Sequence, residues 1–439
     1  MKKRMGTTII VALMVSIALA ACSRETENAG KKPAGEGGKT VLTLSVQEAT
    51  PFYAALERKF EAEYPDIDLT LQAYKQAGEE WKAGEIEEYR KSVNTALLSG
   101  QGPDVIEMSS LPIGDYVAKG LLQNMDTLLS GDSSIKKEEL QQNILDATKE
   151  NGGLYAIPGG FSLRAFIGDG EALKEAEIQE KTWTWQDFAE MAKTLTQGKD
   201  KTFAMAEYPP EMLMQEMTVD NYATYVDTNK KQAKFDSSEF IALLHQVKQM
   251  YDDGVMTADP AGPGKQLFYS DVLRDPVDVI HVPHQYFERP IFMQKPHSPD
   301  QSGTMRIIPD TLFGIRANSQ VPDEAWKLIR FLLSEEAQKM PERSGFSLLS
   351  SVNEQKLDEM RQQVAEGSYK LPDGTLVKAE GEEFDRFRQM LDAVDPYSPL
   401  DAKVISIVGE ESLAFFSGQK SAEEAAKLMQ NRATTFLNE

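Results

Sequence analysis

The residues able to make or break bonds in this chain stand in patterns that favour solvation over catalysis. Carboxylates occur as adjacent pairs, Glu87-Glu88 and Asp252-Asp253. Two carboxyl groups facing each other across a sugar would be the apparatus of a glycoside hydrolase. Neighbours on a helix point to different sides, so these pairs read as solvated charge. His281 and His284 have the spacing of a metal-binding pair, but no cysteine accompanies them and Pro283 lies between. They read as a strand end followed by a loop. The chain has neither a phosphate-cradling Gly-rich loop ending in Lys-Ser/Thr nor a Gly-x-Ser-x-Gly turn. No metal, cofactor or catalytic residue is expected, and an extracytoplasmic carbohydrate hydrolase is the enzymatic alternative.

The one remaining reactive group is the thiol of Cys22, the only cysteine, so no disulfide can form within the chain. Lys2, Lys3 and Arg4 precede an uncharged run from Ile9 that ends in Leu19-Ala20-Ala21-Cys22. Charge, then apolar residues, then small residues is the order of a secretory signal. The run is shorter than the roughly 20 residues of a permanent membrane span. Its last four residues resemble the lipobox of bacterial lipoproteins. That resemblance implies cleavage before Cys22 and lipidation of its sulfur, with residues 1–21 as signal peptide. Two or more acyl chains hold a protein firmly to a membrane. Residues 22–39, with Gly30, Pro33, Gly35, Gly37 and Gly38, read as a flexible linker. The expected location is the outer face of the cytoplasmic membrane, where nucleotide cofactors are scarce.

The chain of 439 residues exceeds the size at which single cores stop growing, so two lobes are the default. Its formal charge of −22 argues against nucleic acid and anionic lipid surfaces as partners. The acidic residues are spread along helices, which serves solubility.

The elements that must position a site begin with alternation at Leu42, Leu44 and Val46, a short strand. A helical pattern, Phe52, Ala55, Leu56 and Phe60, ends at Tyr64-Pro65, and Ile67, Leu69 and Leu71 make a second strand. Strand, helix and strand at this spacing are a βαβ unit. Residues 73–84 read as a loop holding Trp81, 85–98 as a helix, and Pro103 to Met108 as a strand. Ligands of open α/β sheets bind beyond the carboxyl ends of the strands. That rule selects Gln47, Glu48 and Thr50 after the first strand, and Ser109 and Ser110 after the third.

Six segments, in order, resemble the extracellular solute-binding proteins of ABC importers, in the branch of the sugar binders. They are FEAEYPDIDLTLQ (60–72), LLSGQGPDVIEMS (97–109), GGLYAIPGG (152–160), TWTWQDFAEMAKTLT (182–196), FGIRANSQVPDEAWKLIRFLLSEEAQ (313–338) and FSGQKSAEEAAKLMQNRATTFL (416–437). The resemblance implies a type II periplasmic-binding-protein-like α/β fold, two lobes joined by crossing strands with a ligand cleft between. Crossings are expected near Ala156–Pro158, near Ile308–Thr311 and after Phe346. They divide the chain into 40–157 plus 310–346, and 158–309 plus 347–439. The implied solute is an oligosaccharide, and the implied partners are the transmembrane subunits of a permease and, through the lipid, the membrane. A monomer is expected. A sensory module presenting solute to a membrane kinase is a second alternative.

Sugars combine C–H faces with many hydroxyls, so aromatic rings and short polar side chains suit them. By resemblance, Phe161, Ser162 and Arg164 after the first crossing contribute to the cleft. So does His284 or Tyr286 in VIHVPHQYFERP (279–290), read as a loop; the Gly-x-Trp-like segment common there in sugar binders is absent. Tyr222, Tyr225 and Tyr397 stand in loop-like surroundings and complete the candidates.

Overall fold

The computed structural model describes residues 35–199, 201–228, 230–298, 303–378, 381–394 and 400–438. Cys22, residues 1–21 expected as a signal peptide, and Tyr397 lie outside the described residues. Strand β1 (Thr40–Ala49) turns its alternate residues Leu42, Leu44 and Val46 into the core, each at most 1% exposed. Pro51 opens the following helix, Pro51–Glu63, where a missing N–H costs nothing. Tyr53, Leu56 and Phe60 recur on its buried face. Strand β2 (Ile67–Gln76) then pairs parallel with β1, from Thr40 opposite Ile67 to Ala49 opposite Gln76. The strand overruns the expected loop at residue 73, because this long ladder carries Tyr74 and Lys75 with it.

Strand β3 (Val105–Glu107) pairs parallel with β1 on its other side. Strand β4 (Ile157–Asp169) follows, then a two-residue hairpin of β5 (Val226–Asp227) and β6 (Gln232–Ala233). The last strands are β7 (Phe268–Leu273), β8 (Pro290–Met293) and β9 (Arg306–Ile315). The main sheet runs β2-β1-β3-β9-β4-β7, with β8 also on β4. Strands β4 and β9 are therefore the bridge. At one end β9 lies against β3, Phe313 opposite Glu107; at the other β4 carries β7 and β8.

The antiparallel β4–β9 ladder shifts register between Pro158 and Gly160 and again between Gly160 and Phe161. A third segment joins there: Phe161 and Phe346 exchange two backbone hydrogen bonds and stack their rings at 5.5 Å. Gln338, 2% exposed, fixes the junction. Its amide donates to the carbonyls of Gly159 and Leu332, and its oxygen accepts from Ser347 Oγ and Leu348 N. A buried side-chain amide with both ends satisfied fixes backbone geometry that apolar packing alone leaves loose.

Apolar side chains gather in a large cluster under β1 and the helix Pro322–Leu332, continuing along β4 to the helices Ser350–Ala365 and Gly381–Asp392. A separate cluster holds Phe166, Trp183, Phe188, Phe240, Phe268, Val404 and Met429. A small third one, with Tyr89, Ile106 and Tyr116, covers the other side of β3. The stripe Ala325, Leu328, Ile329 and Leu332 is buried as its spacing requires, and Ser421 and Glu424 form the reciprocal cap expected of them.

One segment departs from its sequence reading. Residues 279–286 are not strand and loop but part of a helix, Asp278–Tyr286, with Pro283 inside it. Asp275 and Asp278 accept from the backbone N–H groups of Val277 and Arg274 and set its start. Val279, Ile280 and Val282 are buried, and the helix ends three residues after Pro283. A proline that close to the end disturbs little.

Candidate functional site

A cavity of about 370 Å³ opens where β1 ends and the β4–β9 bridge begins. It lies within the range for small-molecule sites. Gln47, Glu48 and Thr50 enter it from the end of β1, Phe52 and Tyr53 from the first helical turn, and Glu107 from the end of β3. Gly159 and Gly160 of β4, with Asp310, Thr311 and Phe313 of β9, form the floor; Glu342, Arg343 and Ser344 close one side, and Trp81 another.

Trp81 is held by its neighbours on β2. Its ring stacks on Tyr74 with centroids 5.9 Å and planes 14° apart, and Lys75 Nζ sits 5.3 Å from its centroid. Lys75 in turn pairs with Glu85 at 2.6 Å. Such mutual stacking presents a large, rigid ring at small entropic cost.

Two carboxylates face the cavity, Glu107 from a buried position and Asp310 from a half-buried one. Glu107 accepts from Gln47 N and from the Tyr53 hydroxyl, both at 3.0 Å. Burial raises its pKa above the usual carboxylate value, against the lowering pull of those donors. Asp310 Oδ1 accepts from Ser162 Oγ at 2.6 Å, while Oδ2 is buried with no hydrogen-bond partner. Burial raises Asp310 too, with Ser162, Arg343 and Arg274 opposing. Gly345 makes room for it: with φ +86°, a Cβ there would lie 1.7 Å from Oδ2, so the position is closed to other residues.

Arg343, beside Asp310, spends its donors on the chain itself. Nε reaches Gln338 O, Nη1 reaches Ser344 O and Phe346 O, and Nη2 reaches Gly345 O, all between 2.8 and 3.1 Å. It therefore fixes the 343–346 turn over the floor rather than pointing a free guanidinium inward.

The sequence candidates scatter around this site. Glu48 lines the cavity and accepts from Gly78 N. Ser109 Oγ accepts from Leu312 N, bracing β9, and Ser110 Oγ is buried nearby. Phe161 is fully buried in the junction, and Ser162 reaches the cavity only through Asp310. Arg164 donates to Ser270 Oγ inside the second half of the molecule. Tyr222 and Tyr225 form a short helical turn packed in the second cluster rather than a loop, with Phe235 and Phe240 against the Tyr225 ring. His284 Nε2 lies 2.9 Å from Glu383, while His281 faces Gln285, so the two histidines look to different partners. Tyr286 stacks on Tyr269 and donates to Asp271. Sequence reasoning passed over Trp81, Glu107, Asp310 and Arg343. Trp81 could have been found as the one large ring in a polar stretch, and Asp310 as the acid beside an expected crossing.

The model of the bacterial extracellular solute-binding protein family matches residues 45–339, more than half of the chain. The chain belongs to that family. Its fold is similar to that of an extracellular solute-binding protein family 1 member from Alicyclobacillus acidocaldarius, with 18% identity and a TM-score of 0.62 over 91% of this chain and 99% of that one. It is also similar to a periplasmic oligogalacturonide binding protein from Yersinia enterocolitica, with 17% identity and a TM-score of 0.60 over 91% and 99%. A stretch of 142 residues is 25% identical to an uncharacterized lipoprotein of Streptomyces antibioticus, covering 31% of this chain and 29% of that one. The fold expected from the six motifs, a family 1 solute-binding architecture, is the one found. Among the described residues no helix is long and apolar enough to cross a membrane.

Proposed function

We propose that this solute-binding protein is the lipid-anchored capture subunit of an ABC importer, taking an oligosaccharide from outside the cell and handing it to the permease unaltered. The observation that carries the reading is the cavity at the β4–β9 crossing, where Trp81, Phe52 and Tyr53 stand among the acceptors Gln47, Glu48, Glu107 and Asp310. Rings against acceptors suit a molecule with C–H faces and hydroxyl donors. The division into 40–157 plus 310–346 and 158–309 plus 347–439 puts the register shifts of Pro158–Phe161 at the boundary, the natural place for hinge motion. Contacts from the chain after Phe346 reach both parts: Leu349 bridges to Leu140, and Phe387 packs on Phe292. Cys22 would carry the lipid and act as the tether.

A melting-shift screen of mono- and oligosaccharides tests the binding role. A ligand that binds only the folded chain at a hundred times its Kd stabilises by about 2.7 kcal/mol. No shift with any carbohydrate would exclude the sugar reading; release of reducing ends from an oligosaccharide would favour the hydrolase instead.

A further inference from the structure

Resting on the carbohydrate reading of the same cavity, we infer that the solute is an amine-bearing saccharide, a cationic sugar rather than a uronic acid. The charged side chains around the cavity are Glu48, Glu107, Asp310 and Glu342, against Arg343 alone. Arg343 is committed to four backbone carbonyls. Recognition of a ligand carboxylate by arginine uses two parallel N–H groups, and here both Nη1 contacts and Nε are already taken. Two further cations stand nearby: Lys75 is held by Glu85 and by the carbonyl of Glu80, and Arg274 acts on Asp310 from outside the cavity lining. A uronate would therefore enter among four carboxylates, with Arg343 the one cation in the cavity lining and its donors already spent.

The acceptor side is the reverse. Asp310 Oδ2 is buried and lacks a donor. Leaving a buried acceptor unpaired is costly, and Asp310 lines the cavity, so its carboxyl group is the one a ligand donor would relieve. Backbone cannot swing in to fill the gap, because Gly345 already abuts that oxygen and Gly160 packs under Arg343. Glu107 takes its known donors on Oε2, leaving Oε1 only a long 3.4 Å contact from Gln47 Nε2. An ammonium has three donors and no acceptor, which complements an acidic lining; a neutral hydroxyl supplies one donor and no charge. Trp81 adds a ring of the kind that attracts cations.

The test is titration calorimetry of the full chain with three oligosaccharides of equal length: glucosamine oligomers, their N-acetylated forms, and oligogalacturonides. The glucosamine series should bind at least tenfold tighter than either, and weaken as salt is raised. Asp310→Asn should reduce glucosamine affinity by roughly ten- to hundredfold, the scale of a charge-assisted hydrogen bond, and change affinity for the N-acetylated series less than threefold. Equal or tighter binding of acetylated or uronate oligomers would overturn the inference while leaving a sugar receptor. An unchanged glucosamine preference in Asp310→Asn, or in the exposed Glu342→Gln should the first fold poorly, would overturn it too. Binding of none of the three, with no melting shift from any sugar, would remove the carbohydrate reading itself.

Discussion

Two sets of buried carboxylates in this protein are built on opposite plans. Beneath the second cluster, Glu216 and Asp220 share Lys295, whose Nζ lies 3.3 Å from one and 2.5 Å from the other. Tyr208 and Ser270 donate to Glu216 as well. Burial works against charge on Glu216, but Lys295, Arg164 and Arg306 outweigh it and hold its pKa low. For Asp220 burial wins and the pKa rises, since one ammonium cannot serve two anions equally. At the cavity, Glu107 and Asp310 have neutral donors for part of their capacity and no dedicated cation. The first arrangement is closed on itself and belongs to the fold. The second is left incomplete, which is the condition for receiving something from outside.

Breaking the closed set should have the largest effect. Lys295→Met strands two buried charges and should cost about 3–5 kcal/mol in urea denaturation; a loss below about 1 kcal/mol would mean that Arg164 and Arg306 suffice. Next is Gly160→Ala, whose new Cβ would lie 2.5 Å from Arg343 Nη1 and 2.9 Å from Ser344 O. Such overpacking should cost roughly 1–3 kcal/mol and weaken sugar binding, because the 343–346 turn must shift. Asp310→Asn should leave stability within about 1 kcal/mol, on the scale of one hydrogen bond, while affinity falls; a large loss of stability would make Asp310 structural like Glu216.

Acid separates the two sets further. Asp310 and Glu107 have raised pKa values in the fold, so their contribution to stability is fully present below the ordinary carboxylate value and falls as pH rises through the folded one. Glu216 is lowered, so its contribution holds above the ordinary value and is lost as pH falls through the folded one. Melting curves against pH for Asp310→Asn and wild type should therefore diverge at the higher end of the carboxylate range. Affinity for a cationic sugar should fall on acidification through that same window, as the facing groups Asp310 and Glu107 protonate beside Arg343, Arg274 and Asp275. The smallest effect belongs far from both sets. Ser421→Ala, removing an exposed helix cap, should cost about 1 kcal/mol and leave binding untouched.

Much of the architecture could be read from local pattern. The alternation of Leu42, Leu44 and Val46, the stripe of Ala325 to Leu332, and the Ser421–Glu424 cap are near-neighbour facts. The rule that ligands sit beyond strand ends led to Gln47, Glu48 and Thr50, all of which line the cavity. It led equally to Ser109 and Ser110, which are not among the residues lining the cavity, because the Ser109 hydroxyl accepts from Leu312 N on β9. Aromatic residues misled for a similar reason. Tyr222 and Tyr225 look available in the sequence, but whether a ring faces a ligand or a core depends on what folds against it: Tyr225 meets Phe235 and Phe240, and Tyr222 is buried with its hydroxyl accepting from Asp401 N.

By itself the sequence determined the βαβ opening and the Ser421–Glu424 cap, which rest on residues a few positions apart, and the family, which rests on short motifs in order along the chain. The tertiary structure alone decided which acids became a site. Asp104 and Asp310 both adjoin expected strands, yet Asp104 meets Arg316, Thr43 and Ser319 and is satisfied, whereas Asp310 meets Ser162 and a glycine. Partners well outside either strand, most of them more than a hundred residues away, set that difference, and no local pattern encodes them.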